Sequence, residues 1–220
     1  MTFPPIQLKF IKPAPHEGFK RGVAIPTGRE RSIFKTSQHN SPETQDISQL
    51  VGAKAQELFS RGHMLCAPAV LTALNLGLGG GLDQPLVNNL TAGLGEGLGG
   101  AGCLCGAVSG ACVGLGLFIG AGKDGGRASR RVAEASHQLH DSFKAERGST
   151  CCRVLSKKVK DDKKAHMAQC AELSGLAAEL ACRAILLQRP ELAQTADLDY
   201  LSQKVAKKSG LARLATAVSS

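Results

Sequence analysis

From Gly97 to Gly122 the chain runs 26 residues without a formal charge, and ten of them are glycine. An uncharged stretch of that length could span a bilayer. Its content argues otherwise, because glycine, serine, cysteine and alanine insert weakly. Glycine also gives up about 1 kcal/mol of helix propensity relative to alanine. The run therefore reads as a buried segment of a soluble protein. Within it Gly106, Gly110 and Gly114 recur at i, i+4 and i+8. That spacing lines them along one helix face, where another backbone can approach closely. A soluble helix with so little propensity needs such a packing reason.

The flanking sequence carries helical periodicity and no strand pattern, so the expected fold class is all-α, a compact multi-helix bundle. Residues 1–46, rich in Pro, Lys, Arg, Ser and Thr, read as an extended N-terminal arm ordered against a partner. Residues 47–190 read as the helical domain and 191–220 as a helical extension with a frayed tail. Ile47, Leu50, Val51, Leu58 and Phe59 predict a first helix with Asp46 or Ser48 as N-cap and Gly62 as stop. A second starts at Cys66 and ends at Gly77–Gly81, and Asp83 before Pro85 starts a short third. Residues 93–104 form a glycine loop, followed by a helix from Cys105 to Gly120. Val132, Ala135, Leu139 and Phe143 give an amphipathic helix closed by Gly148. A short segment begins at Cys151. A long helix from about Lys164 to Leu187 turns Met167, Cys170, Leu173, Leu176, Ala177, Leu180 and Ala184 inward and stops before Pro190.

The formal charge of +9 is uneven: residues 127–167 hold eleven basic and five acidic groups. A solvated helix face accounts for this charge; nucleic-acid binding would need interleaved aromatics or a recognisable module, and neither is present, while an acidic protein partner fits equally well. The N-terminal sequence has prolines where a secretory apolar region would sit, which gives an expectation of cytoplasmic location and reduced or metal-bound thiols. Gly95-Glu-Gly97-Leu-Gly99-Gly100 spells a formal GxGxxG. No strand precedes it, as a dinucleotide site requires.

The eight cysteines form a pattern. Cys66, Cys105 and the pair Cys151-Cys152 each fall at a predicted helix start, where free amides and the helix dipole favour thiolate, the form needed for redox chemistry or metal ligation. Cys103 adds a Cys-x-Cys with Cys105, and Cys170 lies on the inward face of the long helix. Cys112 and Cys182 look like small core residues. His63, three residues before Cys66, is a candidate to join a site. No Ser-His-Asp set and no carboxylate pair stands out, so no catalytic residue is assigned.

Cys66-Ala-Pro-Ala-Val-Leu71, Gly99-Gly-Ala-Gly-Cys-Leu-Cys105-Gly-Ala-Val-Ser-Gly110, Gly148-Ser-Thr-Cys-Cys152-Arg-Val-Leu155 and Cys170 together resemble the redox-active protein family named for a C, GCAxxG, C, C cysteine pattern. The resemblance spans about residues 47–190. Similar domains occur in split-Soret cytochromes, whose haem motifs this chain lacks. The resemblance implies a small helical domain with an iron–sulfur or thiol redox site, and places Cys66, Cys105, Cys152 and Cys170 at the four signature positions.

The expectation is thus a small redox or electron-transfer protein in which those four cysteines bind an iron–sulfur cluster, with Cys103 and Cys151 as reserve ligands. Alternatives are structural zinc at the same thiols, a metal-free thiol–disulfide protein, or a non-catalytic interaction module. Expected partners are an acidic redox protein and, through the glycine-faced helix, a second copy in a homodimer; no nucleic acid and no membrane are expected.

Overall fold

The computed structural model describes residues 42–120 and 126–206. In chain order these form α1 (Pro42–Ser60), α2 (Cys66–Gly77), α3 (Gln84–Thr91), a single turn α4 (Gly95–Leu98), α5 (Gly106–Ile119), α6 (Gly126–Arg147), a short α7 (Cys152–Ser156), α8 (Lys163–Gln188), a 3-10 turn (Pro190–Ala193) and α9 (Leu198–Ser202). The described residues contain no strand, only an isolated antiparallel bridge between Leu104 and Cys151. The fold is an all-α bundle. No helix among the described residues is long and apolar enough to cross a membrane.

α8 is the centre of the bundle, with α1, α2, α5 and α6 all packed on it. Between Ala171 and Leu186 it is buried nearly all round, which is the pattern of a helix enclosed by others. The sequence suggested one inward face instead. The difference comes from Gly175, Ala178, Ala181 and Cys182, small enough for neighbours to close over the remaining faces. Met167 departs from its expected inward position and is 42% exposed. α1 crosses α8 where two glycines meet: a Cβ at Gly52 would lie 3.0 Å from the Gly175 carbonyl oxygen. Val51, Ala55, Leu58 and Phe59 of α1 then reach the core.

The glycine stripe of α5 packs on α2. A Cβ at Gly110 would stand 2.6 Å from the carbonyl oxygen of Ala67 and 2.8 Å from its Cα, and one at Gly114 would meet Leu74 at 2.5 Å. The close contact is therefore made inside the chain, and the face on which a homodimer was expected is occupied by α2.

Several ends follow the expected chemistry. Asp83 caps α3 by accepting from the Leu86 amide at 2.8 Å, and Gly148 leaves α6 at φ +78. The start of α1 does not: it begins at Pro42, taking residues 42–46 from the predicted arm. Ser48, a candidate cap, is buried within the helix, where its hydroxyl donates to the Thr44 carbonyl at 2.8 Å. Residues 1–41 of the arm, the turn at 121–125 and the tail from 207 lie outside the described residues.

The C-terminal extension folds back onto α1 and α2. Leu201 fills the notch left by Gly77, the Asp197 amide donates to the Gly77 carbonyl at 2.9 Å, and buried Lys54 donates to the Gln203 carbonyl with its ammonium 5.0 Å from the centre of the Tyr200 ring. The Tyr200 hydroxyl is buried with no hydrogen-bond partner among the described residues.

Three substitutions test this packing. Gly110→Ala should destabilise by about 1–3 kcal/mol in denaturant unfolding, because the backbone of α2 must give way. Gly116→Ala, with no atom outside its own helix backbone within 4 Å of the added methyl among the described residues, should stabilise by about 0.5–1 kcal/mol. Burial, with the Asp197 charge second, pushes the Tyr200 phenol up to about 12 from an ordinary 10.0. The folded state thus keeps a proton that the unfolded state loses, so this contribution is present below pH 10 and is lost between pH 10 and 12. Tyr200→Phe should flatten the fall in melting temperature over that window; an unchanged slope would refute it.

Candidate redox site

The site begins with a turn of the wrong hand. Gly95 to Gly99 carries Glu96 (φ 53), Gly97 (φ 72), Leu98 (φ 66) and Gly99 (φ 61), consecutive residues in the left-handed region. The Gly99 amide closes the turn on the Gly95 carbonyl at 2.9 Å. Each non-glycine residue held there costs roughly 1–2 kcal/mol. The turn fits its surroundings only with glycine at 97, where a Cβ would lie 2.7 Å from the Cys152 Cβ and 2.8 Å from the Cys103 amide nitrogen.

The chain then forms half of a two-stranded tie. The Cys105 amide donates to Thr150 at 2.8 Å, the Cys152 amide to Cys103 at 2.6 Å and the Arg153 amide to Gly102 at 3.0 Å. This tie holds two signature segments, 46 residues apart between Cys105 and Cys151, side by side. α5 begins directly after Cys105 and α7 with Cys152. α2 brings Cys66, which its extended N-cap residue Leu65 introduces, and α8 brings Cys170. Gln169 fastens α8 to α7 by donating to the Leu155 carbonyl at 2.7 Å.

Cys66, Cys105, Cys152 and Cys170 line one cavity of about 430 Å³. Gly106 forms part of its wall, and a Cβ there would run into the Cys66 sulfur and come within 2.8 Å of the Leu94 carbonyl oxygen. Backbone amides face the sulfurs as the helix starts suggested: those of Glu96 and Ala67 at Cys66, those of Ala107 and Val108 at Cys105. Burial nonetheless outweighs them. It pushes the Cys105 and Cys170 thiols up to about 12 and raises Cys66 and Cys152 as well, with the neighbouring thiols and the Glu96 carboxylate adding in the same direction. The thiolate expected at each helix start is therefore disfavoured in the absence of a compensating positive charge.

Cys103 and Cys151 stand outside the cavity lining. Cys103 is exposed within the tie; Cys151 sits opposite Leu104 in the bridge and its thiol donates to the Gly102 carbonyl at 3.2 Å. His63 is also elsewhere, with Nε2 2.6 Å from the Ala206 carbonyl oxygen. Cys182 is buried in α8 as a core residue, whereas Cys112 is only half-buried. Three ionisable lining residues escaped the sequence reading: Glu96, Arg153, which donates to the Ala101 carbonyl at 2.7 Å, and His166. Glu96 was visible as the one charge inside the GxGxxG, and Arg153 as the residue after the paired cysteines. His166 gave no signal beyond its place four residues before Cys170.

Four thiols from four segments, with amides directed at two of them, suit a soft metal centre by donor chemistry. Among the described residues no three His, Cys, Asp or Glu side chains converge closely enough for a single metal ion.

The fold and the cavity define a small all-α protein in which four cysteines from four segments line one cavity. The family model described as "Putative redox-active protein (C_GCAxxG_C_C)" matches residues 64–184, more than half of the chain, and the chain belongs to this family. No curated protein and no solved structure matches it. The family assignment supports a redox role.

Exposure sets the expected order of thiol modification. Brief iodoacetamide treatment of the native protein at neutral pH should label exposed Cys103 first and buried Cys105 and Cys182 last, read by peptide mass mapping. Labelling of Cys105 as fast as Cys103 would contradict the arrangement.

Proposed function

We propose that the protein is a small electron-transfer protein whose Cys66, Cys105, Cys152 and Cys170 bind an iron–sulfur cluster. The observation that carries this reading is the shared cavity: the four signature thiols, far apart in sequence, line one space of about 430 Å³. Such a cluster supplies one-electron chemistry at a potential set by hydrogen bonds to sulfur, charge and exposure. The chain's own contribution is to bring the thiols together, direct the amides of Glu96, Ala67, Ala107 and Val108 at Cys66 and Cys105, and exclude water with Phe59 and Leu173.

Two considerations favour a cluster over the alternatives. Tetrahedral zinc, with Zn–S near 2.3 Å, needs sulfurs about 3.8 Å apart, and no three ligating side chains among the described residues converge for a single ion. A metal-free disulfide cycle between Cys105 and Cys152 needs an attacking thiolate near neutral pH, and burial pushes the Cys105 thiol up to about 12 and raises Cys152 as well.

Anaerobically purified protein should be brown, with iron and acid-labile sulfide in stoichiometric amounts. Serine at any of the four positions should lower iron content several-fold, whereas Cys103→Ser and Cys182→Ser should retain it. Colourless protein without iron or sulfide overturns the reading, and zinc in its place would favour the structural alternative.

A further inference from the structure

The mouth of the cavity carries more exposed apolar surface than the fold requires. Leu65 is 51% exposed, Leu98 46%, Val154 57% and Met167 42%. Leu65 and Met167 line the cavity, Leu98 ends the left-handed turn beside it, and Val154 lies between lining residues Arg153 and Leu155. Beside this rim the α7–α8 connection is strongly basic. Arg153, Lys157, Lys158, Lys160, Lys163 and Lys164 are all exposed, and none of the five lysines makes an ion pair among the described residues. The acids here are Asp161, Asp162, whose carboxylate is engaged in capping α8, and Glu96 on the rim.

We propose that this face, an apolar rim around the thiol cavity flanked by the lysines of 157–164, is the docking surface for an acidic electron-carrier protein. Transient interfaces combine an apolar centre with a charged surround that steers encounter. The charge here selects a negatively charged partner. A second copy of this chain would bring the same lysines against themselves, in a protein of net charge +9. Nucleic acid fits less well, because the exposed rim residues Leu65, Leu98, Val154 and Met167 are aliphatic and give bases nothing to stack on, and an apolar centre gains nothing from phosphates. The choice of an electron carrier rests on the redox reading of the cavity; the location of the face does not.

The test is calorimetric titration of the full chain with an oxidised, acidic flavodoxin as probe. Binding should weaken at least about tenfold between roughly 50 and 500 mM salt. Lys157→Glu/Lys158→Glu and Val154→Asp should each weaken it about tenfold at low salt. Arg127→Glu/Lys144→Glu makes the same charge change on α6, which contributes nothing to the cavity lining, and should weaken it less than about threefold. Absence of binding, equal loss in both charge pairs, or tighter binding of a short DNA duplex through the same lysines would each overturn the proposal. Binding of the oxidised carrier needs no bound centre. Iron lost with docking intact therefore sinks the cluster reading alone, and iron retained with no effect of the lysines sinks the docking face alone.

Discussion

The α5 backbone approaches the Cys66 sulfur so closely that no Cβ fits between them, and the packing of α5 on α2 depends on that approach. Gly106 leaves no room for a Cβ between that sulfur and the Leu94 carbonyl. The contact continues along the stripe, Gly110 against the Ala67 backbone and Gly114 against Leu74. One row of missing side chains therefore sets both the spacing of α5 from α2 and the width of the cavity. A larger residue at 106 would lever α5 away from α2 and open the thiols to water, so packing and site are one constraint.

Enclosing four thiols has an electrostatic consequence that the helix starts cannot offset. A helix N-terminus stabilises a negative charge by roughly 0.3–1 kcal/mol at an exposed site. Withdrawing a charge from water costs several kcal/mol. Burial wins at every signature cysteine, and Glu96 adds to it at Cys66, Cys152 and Cys170. In the proposed cluster-bound form the metal would replace these protons and supply the positive charge that the amides facing Cys66 and Cys105 only partly provide.

Much of this was legible in the sequence. Periodicity located α2, α3, α5, α6 and α8; Asp83 and Gly148 marked ends by their side-chain and backbone chemistry; the order and flanks of the cysteines identified the four that share a cavity. What escaped depends on tertiary contact. The left-handed turn exists because Gly97 must clear Cys152 and the Cys103 amide, residues outside its own segment. Glu96 and Leu98 adopt positive φ against their own preference. The Gly52–Gly175 crossing joins helices more than 100 residues apart, where each glycine alone looks like an ordinary helix defect. Met167 follows the helical spacing of the core yet lies where α8 emerges toward the cavity mouth, so its environment is set by where the bundle ends.

The charge at the start of α8 is hard to attribute to folding. Lys163 and Lys164 occupy the first turn, which contains no acidic residue, although the positive end of a helix dipole disfavours cations there. Asp162 recovers part of the cost by accepting from the Lys164 and Ala165 amides at 2.9 and 3.0 Å. Stability alone would place acids in that turn and leave the lysines to the last one. The same segment continues Lys157, Lys158 and Lys160 along the exposed side of the connection, next to Val154 and the cavity lining. An arrangement that costs helix stability, set beside exposed apolar surface, is what the proposed docking face would require and what folding alone would not place there.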